Sequence, residues 1–497
     1  MPVHDKVKQH AETQGSRIAI NMEGQTLNWQ QLWQQSLSIF CAINDVLPVS
    51  PEPKASVIAV ALGNDLAFAP AWLAATANTY TCAVIDPHLP GEQLSDVFGR
   101  LLPDLLLVRS SQTSLITLAK ALNIAVLDVD NLSTEADNAA CRQFIAQMDA
   151  ATPFLVNFTS GTTSTPKAFS RSRHSWRVSF RNGRQIFDLA STSSTLFPGP
   201  LFHGIGLYCL NEALDAGHTF YCMQKWDAAT ALERLARDEI TRLVLVPTML
   251  SAFARLETAS IGTVTHLLSA GAKLEMNHYR QAREIFPHAK VQEYYGASEL
   301  GFIAVSSLTD QNVDAQIATV GLPFPEVSWS IHDREGNLLP NGTSGTIFLQ
   351  SEQVCSGYLW GDDGHAFCNK PWGSTVHDMG YIDDAGRLVV IGRSGDMIVS
   401  GGNNIYLSEV ESVIKSLAGI TEAVVLAIDD DYRGKTLVAF IESPSLDVAQ
   451  LPALCLARLA KYKLPSRFIP LTQWPLTPSG KIKRAVLGQR FINHEFE

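Results

Sequence analysis

The sequence lacks the features that mark several classes of protein. Its eight cysteines are scattered and contain no CxxC pair, so there is no cysteine pattern for a zinc or dithiol redox site. The first ten residues are polar and contain no apolar signal core. The longest apolar runs, residues 56–62 and 67–77, fall short of the ~20 residues that span a bilayer. These absences predict a cytoplasmic protein without a membrane span.

Positive charge is also scarce. The 497 residues include 38 lysines and arginines against 49 aspartates and glutamates, a formal net charge of -11. This balance disfavours broad contact with nucleic acid or anionic membrane, so any polyanion must be bound by a local patch. Apolar material is plentiful, since hydrophobic residues make up 46% and charged residues 18%. At roughly 150 residues per domain, two to four folded domains are expected.

Short apolar runs alternate with helix-like segments through the first part of the chain. Between residues 56 and 130 the runs are SVIAVAL, CAVID, DLLLV and AVLDV. A second alternation extends from 195 to 294, with a predicted helix from Asp227 to Ile240 and a buried strand from Leu243 to Val246. Apolar strands between helices predict largely parallel sheets covered on both faces, and hence two doubly wound halves.

The pattern changes after about residue 318, where the alternating runs VSWSIHD and GTIFLQ predict a small antiparallel sheet or barrel. From residue 397 a separate domain is predicted, in which Ser408 and Glu411 form a capping box that starts a helix. The predicted architecture is α/β. Residues 1–394 form a large N-terminal domain of two doubly wound αβ halves plus a small β-barrel-like subdomain, and residues 395–497 form a small α+β C-terminal lid.

The strongest local motif is NFTSGTTSTPK, residues 157–167. Its hydroxyls and small residues can present several hydrogen-bond donors to a polyphosphate, and Lys167 adds a positive charge. It is not a Walker loop, because the Gly-Lys-Ser/Thr ending is absent and Pro166 precedes the lysine. On its own the string is equally typical of a solvated loop, so its interpretation depends on the other motifs.

Three further motifs contain residues suited to nucleotide chemistry. In YYGASE, Tyr295 offers a flat face for a base and Glu299 offers a hard oxygen ligand for magnesium. Asp378 and Arg393 lie on either side of a predicted hairpin, where they could hold a ribose diol or a phosphate. Lys481 lies in the C-terminal turn PLTPSGKIKR. Taken singly, these residues are also consistent with a buried tyrosine, a surface ion pair and solvated charge.

Together, and in this order, the four motifs resemble those of the adenylate-forming superfamily of acyl-CoA synthetases, nonribosomal adenylation domains and firefly luciferase. The resemblance covers nearly the whole chain. Weaker matches add to it: AVIDP (84–88), PLFHGIG (200–206), LLSAGAKL (267–274), GLPFP (321–325), SGYLW (356–360) and SGGNNIYLSEVE (400–411). The resemblance implies a two-step reaction, in which a carboxylate attacks the α-phosphate of ATP to give an acyl-adenylate and a thiol then displaces AMP.

The resemblance also implies roles for individual residues. Ser298 would contact the α-phosphate, Glu299 would bind magnesium, and Lys481 would be the catalytic lysine of the small domain. The β- and γ-phosphates would be held by Thr159, Ser160, Gly161, Thr162, Thr163, Ser164 and Lys167. Adenosine would be bound by Gly271, Ala272, Lys273, Tyr295, Gly296, Asp378 and Arg393. The acyl pocket would include His203, Gly206, Leu207, Gly301 and Phe302, and the CoA site would include Ser400, Gly401 and Gly402.

Some positions depart from the family's pattern. Gly395 stands at the hinge, where aspartate or lysine is usual, and its wide access to backbone conformations still permits a rotation between the two steps. Ser164 replaces a loop glycine, which could tighten or shift the phosphate loop, whereas Ser298 replaces a threonine and keeps the hydroxyl. The arginines after the loop do not share one helical face and are expected to be solvated, the alternative being a site for the phosphates of CoA: Arg171, Arg173, Arg177, Arg181 and Arg184.

The resemblance leaves the acceptor open between two thiols. CoA is favoured, because SGGNNIYLSEVE resembles stand-alone acyl- and aryl-CoA ligases, and the alternative is a carrier-protein phosphopantetheine. A non-catalytic sensor of nucleotide or acyl-adenylate is a third reading, disfavoured because Glu299 and Lys481 are both present. The expected partners are ATP, Mg2+, CoA and a small carboxylic acid, with the protein a monomer or homodimer.

The acid is predicted to be fatty or aryl. An α-amino acid would need a carboxylate facing its ammonium group in the stretch after His203. Residues 204–210 read GIGLYCL instead, which is apolar. Gly301 and Phe302 are expected to shape the far wall, where a glycine can leave room for a chain.

Overall fold

A computed structural model describes residues 3–47, 56–132, 138–146, 148–159, 166–190, 192–256, 258–362, 366–393, 397–400, 403–430, 434–443, 448–478 and 480–496. The chain divides into two compact units. Unit 1 comprises Met1–Val244, Ala297–Phe302 and Ser351–Phe367, and unit 2 comprises Leu245–Gly296, Ile303–Gln350 and Cys368–Glu497.

The α-helices are α1 (His4–Gln14), α2 (Trp29–Val46), α3 (Phe68–Ala75), α4 (Gly91–Leu101), α5 (Thr113–Ala121), α6 (Asn138–Phe144), α7 (Arg173–Phe187), α8 (Gly204–Ala216), α9 (Ala228–Arg237), α10 (Pro247–Ala254), α11 (Met276–Ile285), α12 (Val313–Gln316), α13 (Leu407–Lys415), α14 (Leu451–Leu456) and α15 (Arg484–Ile492).

The β-strands are β1 (Ile18–Met22), β2 (Gln25–Asn28), β3 (Val57–Val60), β4 (Thr81–Val84), β5 (Leu105–Val108), β6 (Ala125–Asp128), β7 (Pro153–Thr159), β8 (Lys167–Ser172), β9 (Ser194–Leu196), β10 (Thr219–Cys222), β11 (Arg242–Leu245), β12 (His266–Ser269), β13 (Lys290–Ala297), β14 (Gly301–Leu308), β15 (Leu322–Pro323), β16 (Ser328–His332), β17 (Gly345–Gln350), β18 (Tyr358–Trp360), β19 (Cys368–Lys370), β20 (Gly373–Thr375), β21 (Asp378–Ile382), β22 (Leu388–Arg393), β23 (Met397–Ser400), β24 (Asn403–Tyr406), β25 (Glu422–Asp430), β26 (Gly434–Glu442) and β27 (Arg467–Pro470).

Unit 1 contains a complete sheet with the strand order β18-β8-β7-β4-β3-β5-β6. The four apolar runs predicted between residues 56 and 130 are its parallel strands β3 to β6. Strands β7 and β8 form an antiparallel hairpin beside them. Buried side chains such as Phe98 and Leu106 fill the core against this sheet. Strands β11, β9, β10, β1 and β2, also adjacent in this order, form further sheet structure in which β9 and β10 are parallel.

Unit 2 contains strands β15, β14, β13 and β12 in adjacent order, with β12 and β13 parallel. The runs predicted after residue 318 form an antiparallel sheet of order β19-β20-β17-β21-β22, with β16 paired to β17. The C-terminal residues add the pair β23-β24 and the sheet β25-β26-β27. Val410 and Ile414 of α13 are buried against the latter sheet.

Local signals explain some helix starts. The Asp227 side chain accepts a 2.8 Å hydrogen bond from the main-chain N–H of Thr230 and caps α9, as the predicted helix there requires. The predicted capping box of Ser408 and Glu411 is wrong. Helix α13 begins at Leu407 without a side-chain cap, because the Ser408 hydroxyl donates to the carbonyl of Ile391 and Glu411 binds Arg484.

Candidate active site

The predicted phosphate loop connects β7 to β8 in unit 1. Thr159 ends β7, Lys167 begins β8, and the two residues are paired across the antiparallel ladder. The predicted ligands between them, Ser160, Gly161, Thr162, Thr163 and Ser164, lie outside the described residues. Trp360 in β18 supports the end of the loop, because its indole N–H donates a 3.0 Å hydrogen bond to the carbonyl of Pro166. The two ends of the loop are therefore anchored by ordered strands.

Glu299, the predicted magnesium ligand, is buried in unit 1 with 7% of its surface exposed. Its Oε1 atom accepts a hydrogen bond from the hydroxyl of Tyr358 in β18. That hydroxyl also contacts the side chain of Thr159, and its pKa is raised by burial and by the Glu299 carboxylate. Tyr358 therefore stays protonated and links the glutamate to the end of β7. Within the described parts of the chain, Oε2 of Glu299 has no hydrogen-bond partner.

These groups fit a magnesium ion that is shared with a nucleotide. Magnesium prefers oxygen ligands and is usually held by one or two protein carboxylates together with substrate phosphates. Glu299 supplies one such carboxylate, in which Oε1 is bonded to Tyr358 and Oε2 can serve as the metal ligand. Across the residues that the structure describes, no group of three or more His, Cys, Asp or Glu side chains could form an all-protein metal cage.

Sequence reasoning misses Arg171, and the expectation that this residue is solvated is wrong. Arg171 is only 3% exposed. Its Nη1 donates a 2.6 Å hydrogen bond to the main-chain carbonyl of Ser298, and its Nε donates a 3.2 Å bond to the hydroxyl of Ser175. Burial lowers the pKa of the guanidinium to about 10, so the group stays charged near Glu299 at neutral pH. Arg171 therefore holds the turn that contains the predicted α-phosphate and magnesium ligands.

The other arginines of this segment differ in how far they are buried. Arg173 is fully buried, and its guanidinium donates to the main-chain carbonyls of Pro153 at 3.0 Å and Asn78 at 2.8 Å. The expectation of solvation is therefore wrong for this residue too, and its role is to join β7 to the segment before β4. Arg181 and Arg184 are exposed, as expected, and Arg177 is half-buried.

Helix α8 begins beside Ser298. Its first residue is Gly204, and a Cβ atom at that position would lie 3.0 Å from the Ser298 hydroxyl oxygen. The close approach therefore favours glycine. His203, just before the helix, is half-buried, and its ring centroid lies 4.9 Å from that of Phe202. The predicted α-phosphate ligand and the predicted start of the acyl pocket are thus neighbours within unit 1.

The other residues assigned to the acyl pocket are closely packed. Gly206 and Leu207 are buried in α8, with Gly206 against the main-chain carbonyl of Pro200. Gly301 has a φ of +79°, and a Cβ atom there would lie 2.7 Å from Cβ of Gln353. The expectation that Gly301 leaves room for an acyl chain is therefore wrong, because the side chain of Gln353 fills that space.

In unit 2, Glu293 of β13 fixes the predicted adenine-binding segment. Its carboxylate accepts hydrogen bonds from Nζ of Lys273 and, at 2.7 Å, from the main-chain N–H of Leu274. Glu293 is 2% exposed, and burial raises the pKa of its carboxyl despite the opposing effect of the Lys273 ammonium. Gly271 and Ala272 are exposed next to this anchored pair.

The predicted ribose-binding residues lie together in unit 2. Asp378 in β21 and Arg393 in β22 are opposite each other in the ladder, as the predicted hairpin requires. Nε of Arg393 donates a 3.2 Å hydrogen bond to one oxygen of Asp378, and the hydroxyl of Tyr295 donates to the other. Burial and the Asp378 carboxylate raise the pKa of that hydroxyl, which therefore stays a donor. Gly296, the residue after Tyr295, is exposed.

Lys481 is exposed at the end of a tight turn in unit 2. The main-chain N–H of Thr477 donates a 2.7 Å bond to the carbonyl of Lys481, and the N–H of Lys481 donates a 3.0 Å bond to the Thr477 hydroxyl. Gly480 has a φ of +79°, and a Cβ atom there would lie 3.0 Å from the side chain of Val246. The Gly480 carbonyl accepts a 2.5 Å hydrogen bond from the hydroxyl of Thr248 in α10.

Two further contacts within unit 2 join C-terminal residues to the segment 245–296. Nη2 of Arg255 donates to both carboxylate oxygens of Glu442, at 2.5 and 2.7 Å. The amide of Asn277 donates a 2.7 Å bond to the carbonyl of Ile420. These contacts, together with that of Gly480, seat the C-terminal residues with the Lys481 turn against α10.

The predicted CoA site and hinge are only partly described. Ser400 is the last residue of β23 and is paired with Asn403 of β24. Gly401, Gly402 and the predicted hinge residue Gly395 lie outside the described residues. Their roles stay predictions.

Comparison with known proteins identifies the family. Residues 7–359 match the family described as AMP-binding enzyme, and residues 409–481 match the AMP-binding enzyme C-terminal domain. An uncharacterized acyl-CoA ligase of Bacillus subtilis (strain 168), YhfT, is 32% identical over 475 residues, which cover 96% of this chain and 95% of the relative. The chain belongs to the AMP-binding enzyme family.

Solved structures of a Bacillus subtilis enzyme, the o-succinylbenzoate CoA synthetase MenE, have the same fold. The complex with ATP and magnesium is 26% identical, covers 97% of this chain and 99% of that chain, and superposes with a TM-score of 0.80. The complex with the acyl-adenylate intermediate is 25% identical, covers 98% of each chain, and has a TM-score of 0.81.

These findings confirm several predictions made from the sequence. The adenylate-forming family, the α/β fold with a large N-terminal and a small C-terminal domain, and the class of AMP-forming ligase are confirmed. The domain boundary at residue 394, the cytoplasmic location and the individual residue roles stay predictions. No helix in the described part of the chain is long and apolar enough to cross a membrane.

Proposed function

We propose that this enzyme activates a fatty or aryl carboxylic acid with ATP and transfers the acyl group to the thiol of CoA. In the first step a carboxylate oxygen attacks the α-phosphorus, the bond to the bridging oxygen of the β-phosphate breaks, and pyrophosphate leaves. In the second step the thiol sulfur attacks the acyl carbonyl carbon, the thiol proton passes to solvent, and AMP leaves. The acyl-adenylate links the two steps.

The observation that carries this proposal is the environment of Glu299. Tyr358 fixes one oxygen of the buried carboxylate, and Arg171 fixes the turn through the carbonyl of Ser298. A carboxylate held in this way is prepared for a cation before the nucleotide arrives, which is the arrangement that phosphoryl transfer needs. Magnesium bound there would neutralise charge on the ATP phosphates.

The remaining groups of unit 1 would orient the nucleotide phosphates. Lys167 and Thr159 stand at the two ends of the loop and would hold the β- and γ-phosphates together with the residues between them. The Ser298 hydroxyl would contact the α-phosphate oxygen on which charge develops.

In unit 2 the adenosine would be held by two anchored groups. The carboxylate of Asp378 can accept hydrogen bonds from the ribose diol, and Arg393 pairs with that carboxylate. The segment 271–273, tied to Glu293, would line the adenine, and the ring of Tyr295 would stack on it.

Lys481 would act electrostatically in the first step. Negative charge accumulates on the phosphoryl oxygens and the attacking carboxylate, and an ammonium group offsets it most strongly where water is excluded. Gly480, the residue before the lysine, is bonded to the hydroxyl of Thr248, and Lys481 is bonded to Thr477 through its carbonyl.

CoA is the proposed acceptor, and the names of YhfT and MenE, an acyl-CoA ligase and a CoA synthetase, support it. The pantetheine thiol would approach Ser400, Gly401 and Gly402. The alternative acceptor, a carrier-protein phosphopantetheine, uses the same chemistry at the same site.

The test is the product balance with a panel of acids, ATP, magnesium and either CoA or a phosphopantetheinylated carrier protein. The proposal predicts AMP, pyrophosphate and acyl-CoA in equal amounts, each dependent on the acid. Release of ADP and phosphate would contradict the AMP-forming reaction. Turnover with the carrier protein alone would select the alternative acceptor, and nucleotide binding without turnover would select the sensor.

A further inference from the structure

If the proposed function holds, the acid would lie in unit 1 between the start of α8 and the residues after Glu299. The substrate carboxylate must reach the α-phosphate beside Ser298, and Gly204 at the start of α8 is the neighbour of that serine. An acyl group that extends from there along α8 would approach Tyr208 and Phe302. Tyr208 lies one turn further along α8, about 6 Å along the helix axis from Gly204.

The ring of Tyr208 closes this direction. Its centroid lies 4.8 Å from that of Phe302 in an edge-to-face arrangement, and 5.5 Å from that of Phe180. The Tyr208 hydroxyl donates a 3.1 Å hydrogen bond to the carbonyl of Ser179 in α7. A Cβ atom on Gly183, one turn later in α7, would lie 2.9 Å from that hydroxyl oxygen. The side chain of Tyr208 is thus clamped between α7 and Phe302. Two aromatic contacts, one hydrogen bond and the close approach of Gly183 hold it there.

Gln353 fills the space beside Gly301, where a Cβ atom would lie 2.7 Å from Cβ of Gln353. Gln353 is fully buried. Its Oε1 accepts hydrogen bonds from the Ser179 hydroxyl at 2.9 Å and from the main-chain N–H of Phe302 at 3.2 Å. Because its partners fix it from both sides, its side chain cannot swing away without leaving buried polar groups unpaired.

We infer that Tyr208, Phe302 and Gln353 end the acid pocket, so that the enzyme activates compact acids, with a short chain or a single ring, in preference to long-chain fatty acids. The inference rests on the proposed function. The helix rises only about 6 Å between Gly204 and Tyr208, a length that matches a short acyl chain or one aromatic ring, whereas a long chain would have to displace the clamped tyrosine.

The test is acid-dependent exchange of labelled pyrophosphate into ATP, measured for butanoate, hexanoate, benzoate, dodecanoate and hexadecanoate. The wild-type enzyme is expected to show at least roughly tenfold higher kcat/KM for its best compact acid than for hexadecanoate, since each added methylene that cannot be accommodated is penalised. Tyr208→Ala is expected to raise the ratio of long-chain to compact acid by roughly tenfold or more.

Two variants keep this test decisive. Tyr208→Phe removes only the hydroxyl, so the preference for compact acids is expected to persist. Tyr208→Leu keeps apolar packing while shortening the side chain, and it replaces the alanine variant if that protein does not fold. Long-chain acids used by the wild type as well as compact ones, or an unchanged profile in folded Tyr208→Ala and Tyr208→Leu, would overturn the inference while leaving the proposed function intact. Exchange with none of the acids would overturn the proposed function itself.

Discussion

The hydroxyl of Thr248 donates a 2.5 Å hydrogen bond to the carbonyl of Gly480, the residue immediately before Lys481. Gly480 has a left-handed backbone, and a Cβ atom there would lie 3.0 Å from the side chain of Val246, so both the backbone and the packing favour glycine at that position. The Lys481 turn is therefore held beside α10 by a hydrogen bond and a close contact at the same residue, Gly480.

Lys481→Ala is expected to lower adenylate formation by about 10²–10³-fold, because a charge aimed at the transition state is lost. Conversion of a supplied acyl-adenylate to thioester is expected to be largely spared, because the rotation expected between the two steps takes Lys481 away from the reacting groups before that step. The two half-reactions are measured separately. Lys483→Ala, which removes an exposed lysine two residues away, is the matched control and should leave both half-reactions unchanged. Equal loss of both half-reactions in Lys481→Ala would contradict this role.

Arg255→Ala is expected to slow adenylate formation by up to about fivefold, because an exposed ion pair contributes about 0–1 kcal/mol to the seating of the C-terminal residues. The bidentate bond to Glu442 is lost, while the Gly480 contact remains. Thioester formation from supplied acyl-adenylate should not slow if the C-terminal residues move between the steps.

The control for this prediction is Arg100→Ala, which breaks the exposed pair with Asp96 in unit 1. The double variant Arg255→Glu with Glu442→Arg should restore part of the lost rate. A loss of the same size in both half-reactions would show that the ion pair stabilises the fold as a whole. It would contradict a specific role of the pair in seating the C-terminal residues for adenylate formation.

Arg171→Gln is expected to raise the magnesium concentration for half-maximal adenylation and to lower the maximal rate by about 10–100-fold. The reason is the loss of a charged hydrogen bond to the Ser298 carbonyl, worth about 1.5–3 kcal/mol. Arg173→Gln is the matched control, because Arg173 is also buried and its guanidinium bonds the carbonyls of Pro153 and Asn78, which lie outside the Glu299 turn. Both variants should lose thermal stability, but only Arg171→Gln should change the magnesium dependence. An unchanged magnesium dependence would assign Arg171 a purely structural role.

The buried histidine His278 is expected to make stability depend on pH. Its Nδ1 accepts a 3.1 Å hydrogen bond from the main-chain N–H of Glu275, which requires the neutral ring, and burial lowers its pKa to about 3. The unfolded chain takes up a proton near pH 6.5 while the folded chain does not, so this histidine lowers the free energy of unfolding as pH falls from about 6.5 towards 3.

Denaturant unfolding of the wild type and of His278→Asn between pH 7.5 and 5 measures this effect. The stability of the wild type relative to the variant should fall as pH falls, because the variant has no ring to protonate. Parallel profiles over that range would contradict the neutral state of His278 in the folded protein.

Local patterns determine much of the fold. The apolar runs that became β3 to β6 can be buried only as strands between helices, and Asp227 caps its helix through a bond three residues away. The Ser408 and Glu411 capping box failed because tertiary partners outcompeted the local bonds. The Ser408 hydroxyl donates to the main-chain carbonyl of Ile391, and the Glu411 carboxylate accepts from the guanidinium of Arg484. Neither contact can be recognised from the neighbouring sequence.

The site was predictable where its residues lie in recognisable motifs, as for Asp378 and Arg393 on adjacent strands. Tyr358 lay within SGYLW, a motif that resembles the family's, but nothing local marks its bond to Glu299. Arg171 and Gln353 were missed for a physical reason. Their burial depends on partners more than a hundred residues away in sequence, and single-sequence patterns treat an arginine or glutamine as surface.

The most direct test of the account is exchange of labelled pyrophosphate into ATP with magnesium and a compact acid, in the absence of any thiol. The account predicts exchange that requires the acid and magnesium and that is lost in Lys481→Ala. Exchange without an acid, or no exchange with any short-chain, long-chain or aryl acid, would contradict an enzyme that forms acyl-adenylates.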